Sequence, residues 1–112
     1  MGKHREIRAE ERLLLQFLLA KLGEKSKAFT IKEMVDEYEG GKMGSISFSL
    51  DGVATYANDL IQVDYVDADG IDVVITLTCD TEQQLLDLDF WKLDFSALLS
   101  YPIPEKIKYK AN

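Results

Sequence analysis

Little in this chain is reactive. Its 112 residues hold one cysteine, one histidine, one tryptophan and two prolines. The single cysteine, Cys79, excludes an internal disulfide framework and a thiolate zinc cage. The single histidine, His4, would have to serve any Ser–His or Cys–His nucleophile pair. It lies in a charged N-terminal segment expected to be mobile. Long apolar runs are missing, so no stretch is expected to cross a membrane as a helix, and no signal-peptide pattern is visible. Basic charge is short as well: 13 Lys and Arg stand against 20 Asp and Glu, a net of −7. Neutralising phosphates needs a surplus of cations, so neither nucleic acid nor an anionic membrane is an expected partner. These absences leave a cytoplasmic domain with no expected cofactor, no expected metal and no catalytic constellation, read as a protein that is not an enzyme.

What is present is enough for one hydrophobic core. Hydrophobic residues make up 46% and charged residues 29%, too apolar for a disordered chain. The reading is one domain over 1–112, with a folded body at 5–100 and a tail at 101–112. Charge is unevenly placed. Residues 1–32 carry a net of +4, residues 33–104 a net of −13, and residues 105–112 a net of +2. A basic start therefore either lies beside the acidic body and lowers its self-repulsion, or leaves an acidic surface facing a basic partner.

From Ala9 to Leu22 the spacing of Leu14, Leu15, Leu18 and Leu22 predicts an amphipathic helix, with Glu10 and Glu11 at the positive end of its dipole. Residues 23–29 read as a loop. Residues 30–39 are locally helical, because Thr30 and Glu33 form a capping-box pair and Ile31, Met34, Val35 and Tyr38 recur at helical spacing. Three glycines in Gly40–Gly44 require a turn. Strand patterns follow at 45–50, 61–65, 71–79 and 86–90, with Asp51-Gly52, Asn58-Asp59, Asp67–Gly70 and Asp80–Gln83 as turns. Val53–Ala57 is a weak return strand for the Asp51-Gly52 hairpin. The tail is a frayed end or a short edge strand carrying Ile107 and Tyr109. The predicted class is α+β: an N-terminal helix packed on an antiparallel meander sheet of about five strands.

Candidate sites are few. The glycine loop, with Gly41, Met43, Gly44 and Ser45, is a turn or an anion nest, and lacks phosphate-loop spacing. Asp67-x-Asp69-Gly70 fails as a calcium loop, since Tyr65 and Thr76 stand where acids are needed. Asp87 and Asp89 share one strand face, and Asp72 shares it if the strands are neighbours, which makes an acidic patch for a protein partner. Trp91 is either core filler or an interface anchor, and Lys92 beside it completes the candidate surface.

The order of these features resembles a family of small bacterial proteins described only as a domain of unknown function. The residues that carry the resemblance are Glu10-Glu11 before Leu13-Leu14, the run Val35–Ser45 against a Val-x-Asp/Glu-Met stretch leading to Asp-Gly-Gly-Met-Gly-Ser, the Asp67–Gly70 turn, and Leu86–Ser96 against Glu-Leu-Asp-x-Trp-Lys-x-Asp-Phe-Ser. Gly40 departs from an Asp and Lys42 from a Gly. The resemblance implies the same α+β shape, an extended rather than helical 34–38, and a loose similarity to immunity proteins that neutralise toxins. The functional expectation is a non-catalytic interaction module, immunity-like, with a basic protein partner. The alternative is a small-ligand or anion-binding module built on the Gly40–Ser45 loop.

Overall fold

The alternating patterns of the sequence close into one six-stranded antiparallel sheet covered on one face by a helix, in a computed structural model that describes residues 4–38 and 42–109. In chain order the elements are β1 (His4–Glu6), α1 (Ala9–Ala20), β2 (Met34–Glu37), β3 (Ile46–Ser47), β4 (Tyr56–Val66), β5 (Asp72–Asp80) and β6 (Leu85–Lys92). The strand order is β1-β2-β3-β6-β5-β4. The fold class is the expected one, with six strands in place of about five.

Two three-stranded meanders meet where β3 pairs with β6, Ile46 opposite Leu88 and Ser47 opposite Asp87. The expected β3–β4 hairpin across Asp51-Gly52 therefore does not form. The turn is there, with Gly52 at φ +70°, but the chain after it crosses over to the far edge of the sheet. The turn expected at Asn58-Asp59 is instead a pair of bulges inside β4, flanking Asn58 and Asp59 in its pairing with β5. Residues 34–37 are a strand, as the resemblance implied and against the local helical spacing. Pairing on both sides, with β1 and β3, outweighs a helix too short to stand alone. Residues Gly23–Ala28 form a 3-10 helix where a loop was expected.

The N-terminal segment expected to be mobile is β1, with Arg5 opposite Val35. Its order comes from ions rather than apolar alternation. Arg5 holds the buried Glu11 carboxylate through two bonds of 2.9 and 2.7 Å, and Glu11 also accepts the Arg8 backbone N–H at 2.8 Å. The basic start thus sits partly against acids of its own chain: Arg5 and Arg8 on Glu37, Arg12 on Glu33.

On the inner face Leu14, Leu15 and Leu18 of α1 are fully buried in one cluster with Val35, Phe48, Ile75, Leu77, Leu88 and Phe90. The residues after β6 complete this cover, with Tyr101 on Phe90 and Leu98 packed beneath. The described part of the tail, 101–109, pairs as the edge-strand alternative had it, in minimal form: Lys108 and Asp64 exchange backbone bonds of 2.9 and 2.8 Å. No helix among the described residues is long and apolar enough to cross a membrane.

Candidate functional site

Strand β6 sends alternate side chains to opposite faces, and this divides the expected site in two. Leu88, Phe90 and Lys92 point inward and are buried. Asp87, Asp89 and Trp91 point outward. Lys92 is therefore not part of a partner-facing surface, which corrects the expectation: its side chain has no exposure at all. Its ammonium lies 2.8 Å from Asp67, 2.7 Å from Asp69 and 2.9 Å from the Ala97 carbonyl. The two carboxylates of the Asp-x-Asp-Gly turn converge on a lysine. Burial alone would raise the Asp67 pKa, but the Leu99 N–H, the Lys92 ammonium and the N–H groups of Ala68 and Ser100 outweigh it and hold the carboxyl below its ordinary value. Burial would likewise depress Lys92, and Asp67 with Asp69 reverse that and raise it. Asp67 accepts from Leu99 and Ser100 at 2.8 and 2.9 Å, so this buried cluster ties the segment after β6 to the β4–β5 turn.

The outward half opens as a groove of about 560 Å³, lined by Tyr38, Lys42, Met43, Ser45, Asp87, Asp89, Phe90, Trp91 and Phe95. Both expected site regions meet here. Trp91 is 49% exposed, so it is not core filler. Phe95 stands edge-on to it, ring centres 5.1 Å apart at 83°. Phe95 reaches that position through a φ of +63°, which a bulky residue rarely adopts.

The glycine loop builds one wall, and three of its described groups accept hydrogen bonds from the rest of the chain. Met43 Sδ accepts the Lys92 backbone N–H at 3.2 Å, and the Lys42 carbonyl accepts from Leu98 N–H at 3.0 Å. The Ser45 hydroxyl accepts the Phe90 N–H at 2.8 Å, filling the place of a strand residue where β3 is too short. Gly44 has φ +98°, and a Cβ there would meet the Leu98 side chain at 3.1 Å, so any other residue is strained here. Gly40 and Gly41 lie outside the described residues.

The charges on this face carry no Lys or Arg partner within the described residues. Asp87 accepts from the Tyr38 hydroxyl at 2.6 Å, and Asp89 from Ser45 at 3.4 Å. Asp89 reaches solvent, yet the walls around it desolvate it enough to raise its pKa; the Ser45 bond opposes this, while Asp87 and Asp59 add to it. Desolvation and the Asp87 bond push Tyr38 up to about 12. Asp72 shares the outer face but not the groove. Asp89 lies opposite Thr76, so Asp72 is four residues further along β5, roughly 13 Å away. The sequence does not single out Asp59, which has the pattern of a turn, Tyr38, which falls in an apolar pattern, or Phe95, which follows the last strand. Alternation from Val35 would have put Tyr38 outward.

His4 and Cys79 are not brought together. His4 bonds Asp36 at the β1–β2 edge, and Cys79 is buried on β5 beside Asn58. Among the described residues no three His, Cys, Asp or Glu side chains converge to hold a metal. A second crevice of about 570 Å³ lies between the 48–55 crossover and the β5–β6 turn. Its Asp80 is spent on capping that turn, through the N–H groups of Glu82 and Gln84.

A family model described as a domain of unknown function, DUF6984, matches residues 4–102. No curated protein and no solved structure gives a match.

Proposed function

We propose that this chain, which belongs to the DUF6984 family, is a non-catalytic interaction protein whose outer sheet face binds a basic protein partner. One observation carries the reading: an open groove joins an exposed tryptophan to two carboxylates without a cationic partner in the described chain. Charged faces usually only solvate a protein. Here the charge surrounds apolar surface, Trp91, Phe95 and Met43, which is the composition of an interface core with a polar rim. The immunity-like role belongs to this reading, since a basic toxin surface has the required charge. The alternative, an anion held by the glycine loop, is opposed by Asp87 and Asp89, whose charges share the same groove.

The test is kinetic. A basic partner captured from the native host should associate faster at low salt. Changing Asp72, Asp87 and Asp89 together to Asn should slow association several-fold with the fold intact. An association rate unchanged by salt and by the triple variant overturns the reading.

A further inference from the structure

We propose that the groove is a receptor for a single arginine side chain of the partner, whose guanidinium stacks on the Trp91 indole while its N–H groups reach Asp89, with the Asp87 charge further along the groove. This deepens the reading above and rests on it.

The stacking surface is fixed in advance. Trp91 is half-exposed and is held edge-on by Phe95, which itself occupies a strained backbone conformation to stand there. Tryptophan is the best aromatic partner for a cation. The acceptors are also fixed. Asp87, Asp89 and Trp91 take successive outward positions on β6, so Asp89 lies roughly 7 Å and Asp87 roughly 13 Å along the strand from Trp91. Each accepts one hydrogen bond from the described residues, from Tyr38 and from Ser45, and an ionised carboxylate has room for about four. Both carboxylates line the groove that Trp91 lines, with acceptor capacity to spare.

The choice between the two cations follows from geometry. An ammonium is a compact, strongly hydrated charge and serves one acceptor cluster well. A guanidinium is planar and weakly hydrated and carries five donors, so it can stack on the indole and donate to the neighbouring carboxylate at the same time. Desolvation at Asp89 favours either cation, because a positive charge in the groove relieves the cost of keeping that carboxylate charged. The one cation among the lining residues is Lys42, which competes with an incoming charge.

Trp91 is the sole tryptophan, so its emission reports on the groove alone. The experiment titrates the full chain with capped hexa-arginine, hexa-lysine and hexa-citrulline at physiological salt. Hexa-arginine should change Trp91 emission saturably and bind at least about fivefold tighter than hexa-lysine; hexa-citrulline should not respond. Asp87→Asn with Asp89→Asn should weaken hexa-arginine about tenfold or more. Trp91→Leu, read by calorimetry, should abolish the preference for arginine while leaving salt-sensitive binding of both cationic peptides. Lys42→Gly should tighten both. An unchanged urea midpoint checks the fold of each variant. Equal binding of the two cationic peptides, indifferent to Trp91→Leu, overturns the arginine receptor and leaves the basic-partner reading standing. No binding of either peptide overturns both.

Discussion

Replacing Asp67 by Asn tests whether the buried cluster around Lys92 holds the fold together. The carboxylate accepts four N–H donors: Lys92 and Leu99 on one oxygen at 2.8 Å each, Ala68 and Ser100 on the other at 2.7 and 2.9 Å. An amide keeps one acceptor oxygen. Its NH2 cannot accept, so two donors are left facing a donor. Hydrogen bonds to charged groups contribute roughly 1.5–3 kcal/mol each, and removing one member of a buried ion pair costs about 3–5 kcal/mol. Lys92 keeps Asp69 and the Ala97 carbonyl, which limits its share of the loss. The expected loss for Asp67→Asn is therefore about 3 kcal/mol, a large part of the roughly 5–15 kcal/mol available to a small domain.

Urea unfolding at pH 7 should show this as a midpoint lowered by on the order of 2 M. The pH dependence supplies the sign. The folded Asp67 pKa lies below its ordinary value of 3.8. Its stabilisation is present above the unfolded pKa and is lost as pH falls through the folded one. The gap between wild type and variant should hold from pH 7 to about 5 and close in the acid range below 3.8. Adding Lys92→Met to Asp67→Asn should cost less than the two single changes together, because they share one cluster. A loss under about 1 kcal/mol, or a gap that persists undiminished to pH 2, would refute the reasoning.

Ile75 is fully buried against the helix, so Ile75→Ala should cost about 2–5 kcal/mol by urea unfolding; under 1 kcal/mol would mean the inner face is misassigned. Gly44→Ala should cost about 1–3 kcal/mol, since it adds a Cβ 3.1 Å from Leu98 at φ +98°; thermal unfolding measures it, and a neutral result contradicts the close approach. Asp89 has a raised folded pKa, so its charge costs stability at neutral pH and the cost vanishes below the unfolded pKa. Asp89→Asn should therefore be slightly more stable than wild type at pH 7 and indistinguishable from it at pH 3, which paired urea titrations at the two pH values check.

The sequence pattern was legible wherever burial is one-sided. Alternation at Ile71–Cys79 and Leu86–Phe90 found β5 and β6 because a half-buried strand must alternate. It failed where other forces set the backbone. β1 has no apolar alternation, and it is ordered by Arg5 on Glu11 and Glu37. Asp51-Gly52 was read as a hairpin because the local turn chemistry is right. That chemistry cannot state which strand lies across from β3, and the long-range pairing with β6 decides it. The bulges around Asn58 and Asp59 fail for a related reason: the residue types that turn a chain also tolerate an extra residue in a strand.

The closing run Asp87–Ser96 explains why the candidate site was visible yet misassembled. Read linearly, Trp91 and Lys92 are neighbours and belong to one surface. The pleat of β6 separates them, so the indole faces solvent and the ammonium enters the core. The separation links the two halves mechanically. Lys92 holds Asp67, Asp67 holds the backbone of Leu99 and Ser100, and the chain between Lys92 and Leu99 carries both Phe95 and Leu98. Phe95 fixes the indole from outside, while Leu98 closes on Gly44 from the other side of the loop. A buried ion pair adds little stability over a well-packed apolar core, and its best use is to impose one geometry. Here the geometry imposed is that of the groove: the inward half of the run holds in place the outward half that lines it.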